Sequence, residues 1–414
     1  MTTLLPALLV ARAMVLSLPP FCPGDCDENG TTVDVEVSAA IELVFDSASL
    51  QNCRAADVDG TQSVTAADLV AILTASATLP PGCSPPPPTE VPSPTPTASP
   101  SPTPTESVVP TPGSAWVTLA PLAEGPRQEV GVAAVGNSVY VLGGLDGRGI
   151  GSDRVERYDI DEDRWTTVEP LPRQLHHVGS ASLDGQVYCV GGFVGSSFTP
   201  TDQLLRYDPT GNEWTGLKEL PRARGALTAV VLNGRIHALG GSSSQGSVRD
   251  HTAYDPVANQ WTDLAAAPGV GRNHLAAAVL DGYLYLVGGR RDGGGQSNSA
   301  ALDRYDPVAN EWESLADMPT ARSGHAVAAL GGRLIALGGE VNPAHPQGVF
   351  PQVEMYDPAT NRWTALDPMP VPRHGIGAVV VGARLYVPGG ATVAGFGATA
   401  HHDAVEPQRF TEEK

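Results

Sequence analysis

Short apolar runs separated by turn residues fill most of the chain beyond residue 113. One unit shows the pattern. Arg224-Gly-Ala-Leu-Thr-Ala-Val-Val-Leu232 is an apolar run, Asn233-Gly234 has the chemistry of a two-residue hairpin turn, and Arg235-Ile-His-Ala-Leu239 is the returning strand. Gly240-Gly241 closes it. A polar loop follows, then Tyr254-Asp255-Pro256, a second turn at Ala258-Asn259, and Trp261-Thr-Asp-Leu264. The unit predicts four short strands joined by turns.

The unit recurs. Trp116, Trp165, Trp214, Trp261, Trp312 and Trp363 stand 49, 49, 47, 51 and 51 residues apart. Gly143-Gly144, Gly191-Gly192, Gly240-Gly241, Gly288-Gly289, Gly338-Gly339 and Gly389-Gly390 keep step with them. Tyr158, Tyr207, Tyr254, Tyr305 and Tyr356 each precede a Trp by 7 residues. A four-strand repeat with a period near 50 predicts the blades of a propeller. With the Gly-Gly pair, the Tyr before an acidic turn and the Trp after it, residues 114–410 resemble the kelch family. The resemblance implies an all-β fold, a six-bladed kelch β-propeller. In the sixth copy Val405-Glu406-Pro407 replaces Tyr-Asp-Pro and no Trp follows. The missing strand is expected from the segment Ala115 to Leu119, which would close the ring and leave no open sheet edge.

Spacing locates the variable parts. From each Trp to the next Gly-Gly there are 26 or 27 residues, whereas from the first Gly to the Tyr there are 14 to 18. Length changes therefore concentrate near residues 145–152, 193–202, 242–250, 290–300, 340–350 and 391–402. These loops are expected on one face, where binding resides on a rigid scaffold. Sixteen residues before each Gly-Gly stand Arg127, Leu175, Arg224, Arg272, Arg322 and Arg373. The resemblance implies that this position begins the innermost strand, on the loop face near the channel. With His176, His177, His274, His325 and His374 close by, Arg127, Arg224, Arg272, Arg322, Arg373, His177, His274 and His325 form the expected ligand-binding face. The competing reading is that the arginines brace adjacent blades by bonding loop carbonyls.

Before residue 114 the composition changes. Residues 84–113 are rich in Pro, Ser and Thr, which predicts an extended, semi-rigid linker. In residues 22–83, Asp25, Asp27, Asn29, Thr31 and Glu36 fall at positions 1, 3, 5, 7 and 12 of a calcium loop, with Gly30 at position 6. Asp57, Asp59, Thr61, Ser63 and Asp68 repeat the spacing 32 residues on, with Gln62 in place of the Gly. Each loop leads into a short apolar helix pattern, so this small α-helical module resembles the dockerin-like relatives of EF-hands. The resemblance implies calcium as cofactor and a cohesin-like partner. Cys22, Cys26, Cys53 and Cys83 predict two disulfides of open pairing. Residues 1–21 read as a signal-like segment, which with the cysteines predicts an extracellular or cell-surface protein. Arg12 and the short run argue against a membrane span.

The 414 residues carry a net charge of -20. Residues 1–113 hold 2 basic and 12 acidic side chains, the remainder 23 and 33. Without a basic tract, nucleic acid is not an expected partner. The leading function is a secreted or cell-surface propeller that acts as a protein- or glycan-binding scaffold, a monomer anchored by its calcium module. The alternative is a carbohydrate-active enzyme, sialic acid epimerase-like or glycosidase-like, using Arg, His and the carboxylates Asp146, Asp292 and Glu340. Copper-radical galactose oxidases share the family, but their chemistry requires a Tyr cross-linked to Cys. Cys189, alone in the strand Val187-Tyr188-Cys189-Val190, reads as a buried inert thiol. No catalytic residue is assigned.

Overall fold

A computed structural model describes residues 116–292 and 297–406, all within the unit Glu106–Lys414. The signal-like segment, the expected calcium loops and their cysteines, the linker and residues 407–414 lie outside the described residues.

Five blades are contiguous in the chain. Blade I is Gly131–Val135, Ser138–Leu142, Val155–Asp159 and Arg164–Val168; blade II is Gly179–Leu183, Gln186–Val190, Leu204–Asp208 and Glu213–Gly216. Blade III is Thr228–Leu232, Arg235–Leu239, His251–Asp255 and Gln260–Asp263. Blade IV is Ala276–Leu280, Tyr283–Val287, Leu302–Asp306 and Glu311–Ser314, and blade V is Ala326–Leu330, Arg333–Leu337, Val353–Asp357 and Arg362–Leu366. Blade VI joins both ends of the domain. Val379–Val381, Arg384–Pro388 and His402–Val405 receive Trp116–Thr118 as the outer strand, with Trp116 opposite Val405. The other five Trp residues face their Tyr in the same way, as Trp165 faces Tyr158. The closure expected of the segment around Ala115 is present.

Turn chemistry fixes the registers. Asp184-Gly185, Asn233-Gly234 and Asp281-Gly282 all take left-handed φ at both residues, the geometry that matches strand twist in a two-residue hairpin. The second strand of each blade lies between sheets and is buried almost throughout, whereas the fourth is solvated on one side. The core accordingly lies between blades: Tyr140 and Leu142 of blade I pack with Val187 and Tyr207 of blade II. Cys189 is in this core, and burial pushes its thiol up to about 12, so it stays protonated.

Three tiers of bonds join neighbouring blades. The outermost uses the Tyr and Trp. Tyr158, Tyr207, Tyr254, Tyr305 and Tyr356 donate to Asp163, Asn212, Asn259, Asn310 and Asn361, which hold left-handed turn positions. The same side-chain oxygens accept the backbone N–H of Ala120, Glu169, Lys218, Ala265 and Ala316 of the preceding blade. The carbonyls of those five residues then accept from Trp165, Trp214, Trp261, Trp312 and Trp363. The Trp is thus a clasp as well as an apolar filler.

The middle tier explains the Gly-Gly pairs. The second Gly of every pair donates its N–H to the carbonyl of Arg127, Leu175, Arg224, Arg272, Arg322 or Arg373 of the following blade. A β-carbon on the first Gly would meet that oxygen, at 2.5 Å for Gly191 and 2.9 Å for Gly389. Both glycines hold left-handed φ, so two independent constraints select them.

The innermost tier is a closed circle. Glu129, His177, Ala226, His274, Gly324 and Gly375, one per blade, are linked N–H to carbonyl around the axis at 2.8 or 2.9 Å. All six take left-handed φ. This explains a difference from the pattern: the apolar run from Arg224 becomes strand only at Thr228, because Ala226 belongs to the circle.

Several histidines are sealed between blades. His237 and His251 touch ring to ring at 2.8 Å, and His251 stands edge-on to Tyr305. His402 stands edge-on to Tyr158. Burial pushes His237 down to about 4, and His251, His325 and His402 down to about 3. They are neutral when folded and gain protons on unfolding. Their stabilisation is therefore complete above about 6.5 and is lost as pH falls toward the folded values. His374, pushed the other way, offsets only one of them. One such group changes stability by about 1.4 kcal/mol per pH unit. The unfolding free energy of the propeller, read from urea denaturation, is predicted to fall from pH 7 to pH 4.5 with a slope above that single-proton value. A flat or rising free energy would contradict this account of the histidines.

Candidate functional site

The circle and the loops above it set the site. Three of the six circle residues carry ionisable side chains, Glu129, His177 and His274, although left-handed backbone is costly for them by about 1 kcal/mol or more each. The residue before each circle position pairs with the residue after each Gly-Gly through an isolated bridge, as in Asn273 with Arg290, Ser323 with Glu340 and His374 with Ala391. These repeat positions place Glu129, His177, His274, Arg290, Glu340 and His374 around the mouth of the channel.

They line a cavity of about 750 Å³. Its walls come from the variable loops: Leu145, Phe193, Ser197 to Pro200, Ser242 to Ser244, Arg290 to Asp292, Glu340, and Gly395 with Phe396. The expectation that these loops share one face agrees with this. Phe396 is 59% exposed and lies against Gly149. Phe193, Phe198, His176 and His177 form an aromatic cluster on another wall.

The charged groups are tightly coupled. Burial alone would raise the Glu129 carboxyl, but His177 and His374 outweigh it and hold it well below the usual range. Glu340 is likewise lowered against its burial by His374 and Arg290. Burial would lower His374, but Glu340 and Glu129 raise it. Burial lowers His177 to about 4, and burial with Arg290 holds His274 well below its ordinary value. Arg290 pairs with Glu340 and stands 3.2 Å from His274 Nε2. Two triads, Glu129–His177–His274 and Glu129–Glu340–His374, each bring three donor atoms within 4.8 Å of one another, as a metal ion would require. Asp292 accepts from Ser247 at the rim, and Asp146 pairs with Arg148 beside its loop. The three carboxylates Asp146, Asp292 and Glu340 are thus each held by separate partners.

The five arginines are placed elsewhere. Arg127, Arg224, Arg272, Arg322 and Arg373 are buried and none lines the cavity. Each bonds inside its own blade. Four reach the carbonyl of the first Gly of their Gly-Gly pair and a buried acid: Glu156, Asp303, Glu354 or Asp403. Arg224 instead bonds Thr252 and Asp250. Bracing between blades runs through the backbone carbonyls of these residues, and the guanidinium groups brace within a blade. His325 is buried against Gly288 and is also off the cavity. Of the expected face, only His177 and His274 reach the cavity. Glu129, Arg290 and His374 stand outside the expected face, although the repeat holds the signal: fourteen residues before each Gly-Gly stand the six circle residues, and two residues after its first Gly stand Arg290 and Glu340.

Comparison with known proteins agrees with this architecture. Residues 181–390 match the KLHDC2/KLHL20/DRC7 Kelch-repeats domain, and residues 126–172 match the Kelch motif. Kelch-like protein terF of Aspergillus terreus is 30% identical over 301 residues, 68% of this chain and 65% of that protein. Kelch-like protein 21 of Danio rerio is 38% identical over 269 residues, 64% of this chain and 40% of the relative. The chain therefore spans less than two thirds of the length of either. The solved structure titled "Structure of YjhT" superposes with a TM-score of 0.59 at 18% identity, over 69% of this chain and 95% of that one, a likeness of fold.

Proposed function

The chain belongs to the kelch-repeat family, and from that premise we propose that its propeller is a protein-binding scaffold whose loop-face cavity receives a segment of the partner. The observation that carries the proposal is the cavity of about 750 Å³, walled by variable loops and carrying an exposed Phe396 at its rim. Its size is that of a ligand pocket, and its mixture of aromatic rims and convergent charges suits an extended peptide. Exposed apolar groups beside it, Ile150 and Val393, enlarge the contact surface.

A displayed random-peptide library selected on the full-length protein is the test. Enriched peptides are expected to bind at the cavity, and Phe396→Ala is expected to weaken them about tenfold or more, the size of an aromatic anchor's contribution. Failure to enrich any peptide, with hits on a glycan array instead, would contradict the proposal and reassign the cavity to a polysaccharide.

The N-terminal module enters the proposal on residue spacing alone. Asp25, Asp27, Asn29, Thr31 and Glu36, and Asp57, Asp59, Thr61, Ser63 and Asp68, would each hold calcium at the millimolar concentrations outside cells, and a cohesin-like partner would anchor the protein there. The signal-like segment and four crowded cysteines support that secreted or cell-surface location. Chelation is predicted to increase amide exchange across residues 22–83 and leave the propeller unchanged. Equal exchange in residues 22–83 with and without calcium would contradict the calcium loops.

A further inference from the structure

Three imidazoles at the channel mouth turn the same kind of atom toward two carboxylates. His374 donates from Nε2 to the Val393 carbonyl at 2.9 Å, which turns Nδ1 toward the two carboxylates. That Nδ1 is buried and has no hydrogen-bond partner. It stands 3.4 Å from Glu129 Oε1 and 3.5 Å from Glu340 Oε2, in reach of both oxygens and aligned with neither. On the far side of Glu129, His176 Nε2 donates to the Gly195 carbonyl, so its Nδ1 accepts from His177 Nδ1 at 2.6 Å. The His177 lone pair is then on Nε2, 3.4 Å from Glu129 Oε2. His274 donates from Nδ1 to Asn273 Oδ1, leaving Nε2 free to accept from Arg290.

In His374 and His177 the outer nitrogen is anchored and the inner one faces a carboxylate, whereas the inner nitrogen of His274 is taken by Arg290. Outer-shell bonds to carbonyls or amides fix metal-ligating histidines in this way. Two buried carboxylates facing one imidazole nitrogen are unfavourable unless something positive, a proton or a metal ion, lies between them. We propose that a divalent first-row transition-metal ion of zinc type binds between Glu129, Glu340 and His374, at the floor of the cavity.

The distances suit such an ion. Metal–ligand bonds of about 2.0–2.2 Å place neighbouring donors about 3.4 Å apart in a tetrahedron, and His374 Nδ1 stands 3.4 and 3.5 Å from its two carboxylate oxygens. Mixed nitrogen and oxygen donors favour zinc and its neighbours over calcium or magnesium. Gly375 keeps the approach open, because a β-carbon there would lie 2.6 Å from Glu129 Oε1. Arg290 binds the other oxygen of Glu340, Oε1, while Oε2 accepts the Gly395 N–H at 3.2 Å and keeps a second lone pair for the ion. The same arginine engages His274 Nε2, which places the ion on the His374 side of Glu129. Three protein donors leave a fourth position open to the cavity for water or an incoming carboxylate.

Cobalt titration of the metal-stripped, full-length protein tests the site, since Co²⁺ reports its ligands by visible absorption and zinc can be read by its displacement. One equivalent of His374-dependent Co²⁺ is expected. Its band should vanish in His374→Ala and in Glu340→Gln, and persist in His274→Ala. Melting curves establish that each variant is folded, and the isosteric Glu340→Gln keeps the test decisive if the histidine variant is not. No band in the folded wild type, or a band of equal size in folded His374→Ala or Glu340→Gln, would overturn the site. Loss of the band in His274→Ala with retention in His374→Ala would overturn its placement.

Discussion

Neighbouring blades approach so closely at the inner rim that a backbone carbonyl stands where a side chain would begin. The Gly-Gly pairs exist because of that approach: an added β-carbon on the first glycine would collide with the carbonyl of the next blade, and the second glycine bonds the same carbonyl. Everything nearer the axis inherits this geometry. The chain leaves the arginine position, turns left-handed two residues later, and bonds to its counterpart in the neighbouring blade. Six repeats of that turn close a circle of N–H···O bonds from Glu129 to Gly375. Circle residues are therefore the first side chains with access to the cavity, and this sequence places two histidines and a glutamate there.

Away from the axis the blades show two ways to fill one buried site. In blades I, IV, V and VI an arginine meets a glutamate or aspartate two residues before the Tyr position. In blade II both members are replaced together: Leu175 stands for the arginine and Leu205 for the acid, and the two belong to one core cluster. Blade III keeps Arg224 but has Thr252 in the acid position, and draws its charge from Asp250. A buried ion pair and an apolar pair of similar volume are close in free energy, whereas half of either would leave a charge without a partner. Within one chain, the substitution of both partners in blade II is the arrangement that principle expects.

The fold was legible because its determinants are local and repeated. Gly-Gly, Tyr and Trp recur at fixed spacing, and each has a short-range mechanical reason for its position. The sixth blade was legible from an absence, Val405 where a Tyr was expected, together with a spare Trp116 at the start. The site was less legible, and the arginines show why. Five arginines at one repeat position suggested a ligand face, but position on the inner strand does not fix which way a long side chain runs. These guanidinium groups turn into their own blades, toward acids that lie about thirty residues further along the chain. His325 is one residue past the circle and faces the packing between blades, while His274, on the circle, faces the cavity. A one-residue offset separates the two outcomes, and only the left-handed turn, which the sequence does not display for a bulky residue, decides between them.

The central claim is that the circle of six backbone bonds is continuous and holds the cavity floor rigid through its junction between blades VI and I. Native-state hydrogen exchange of the amides of Glu129, His177, Ala226, His274, Gly324 and Gly375 measures this directly. The account predicts that all six exchange only through global unfolding, with one shared free energy. Faster exchange of Glu129 or Gly375 by local opening, with the other amides still protected, would contradict it.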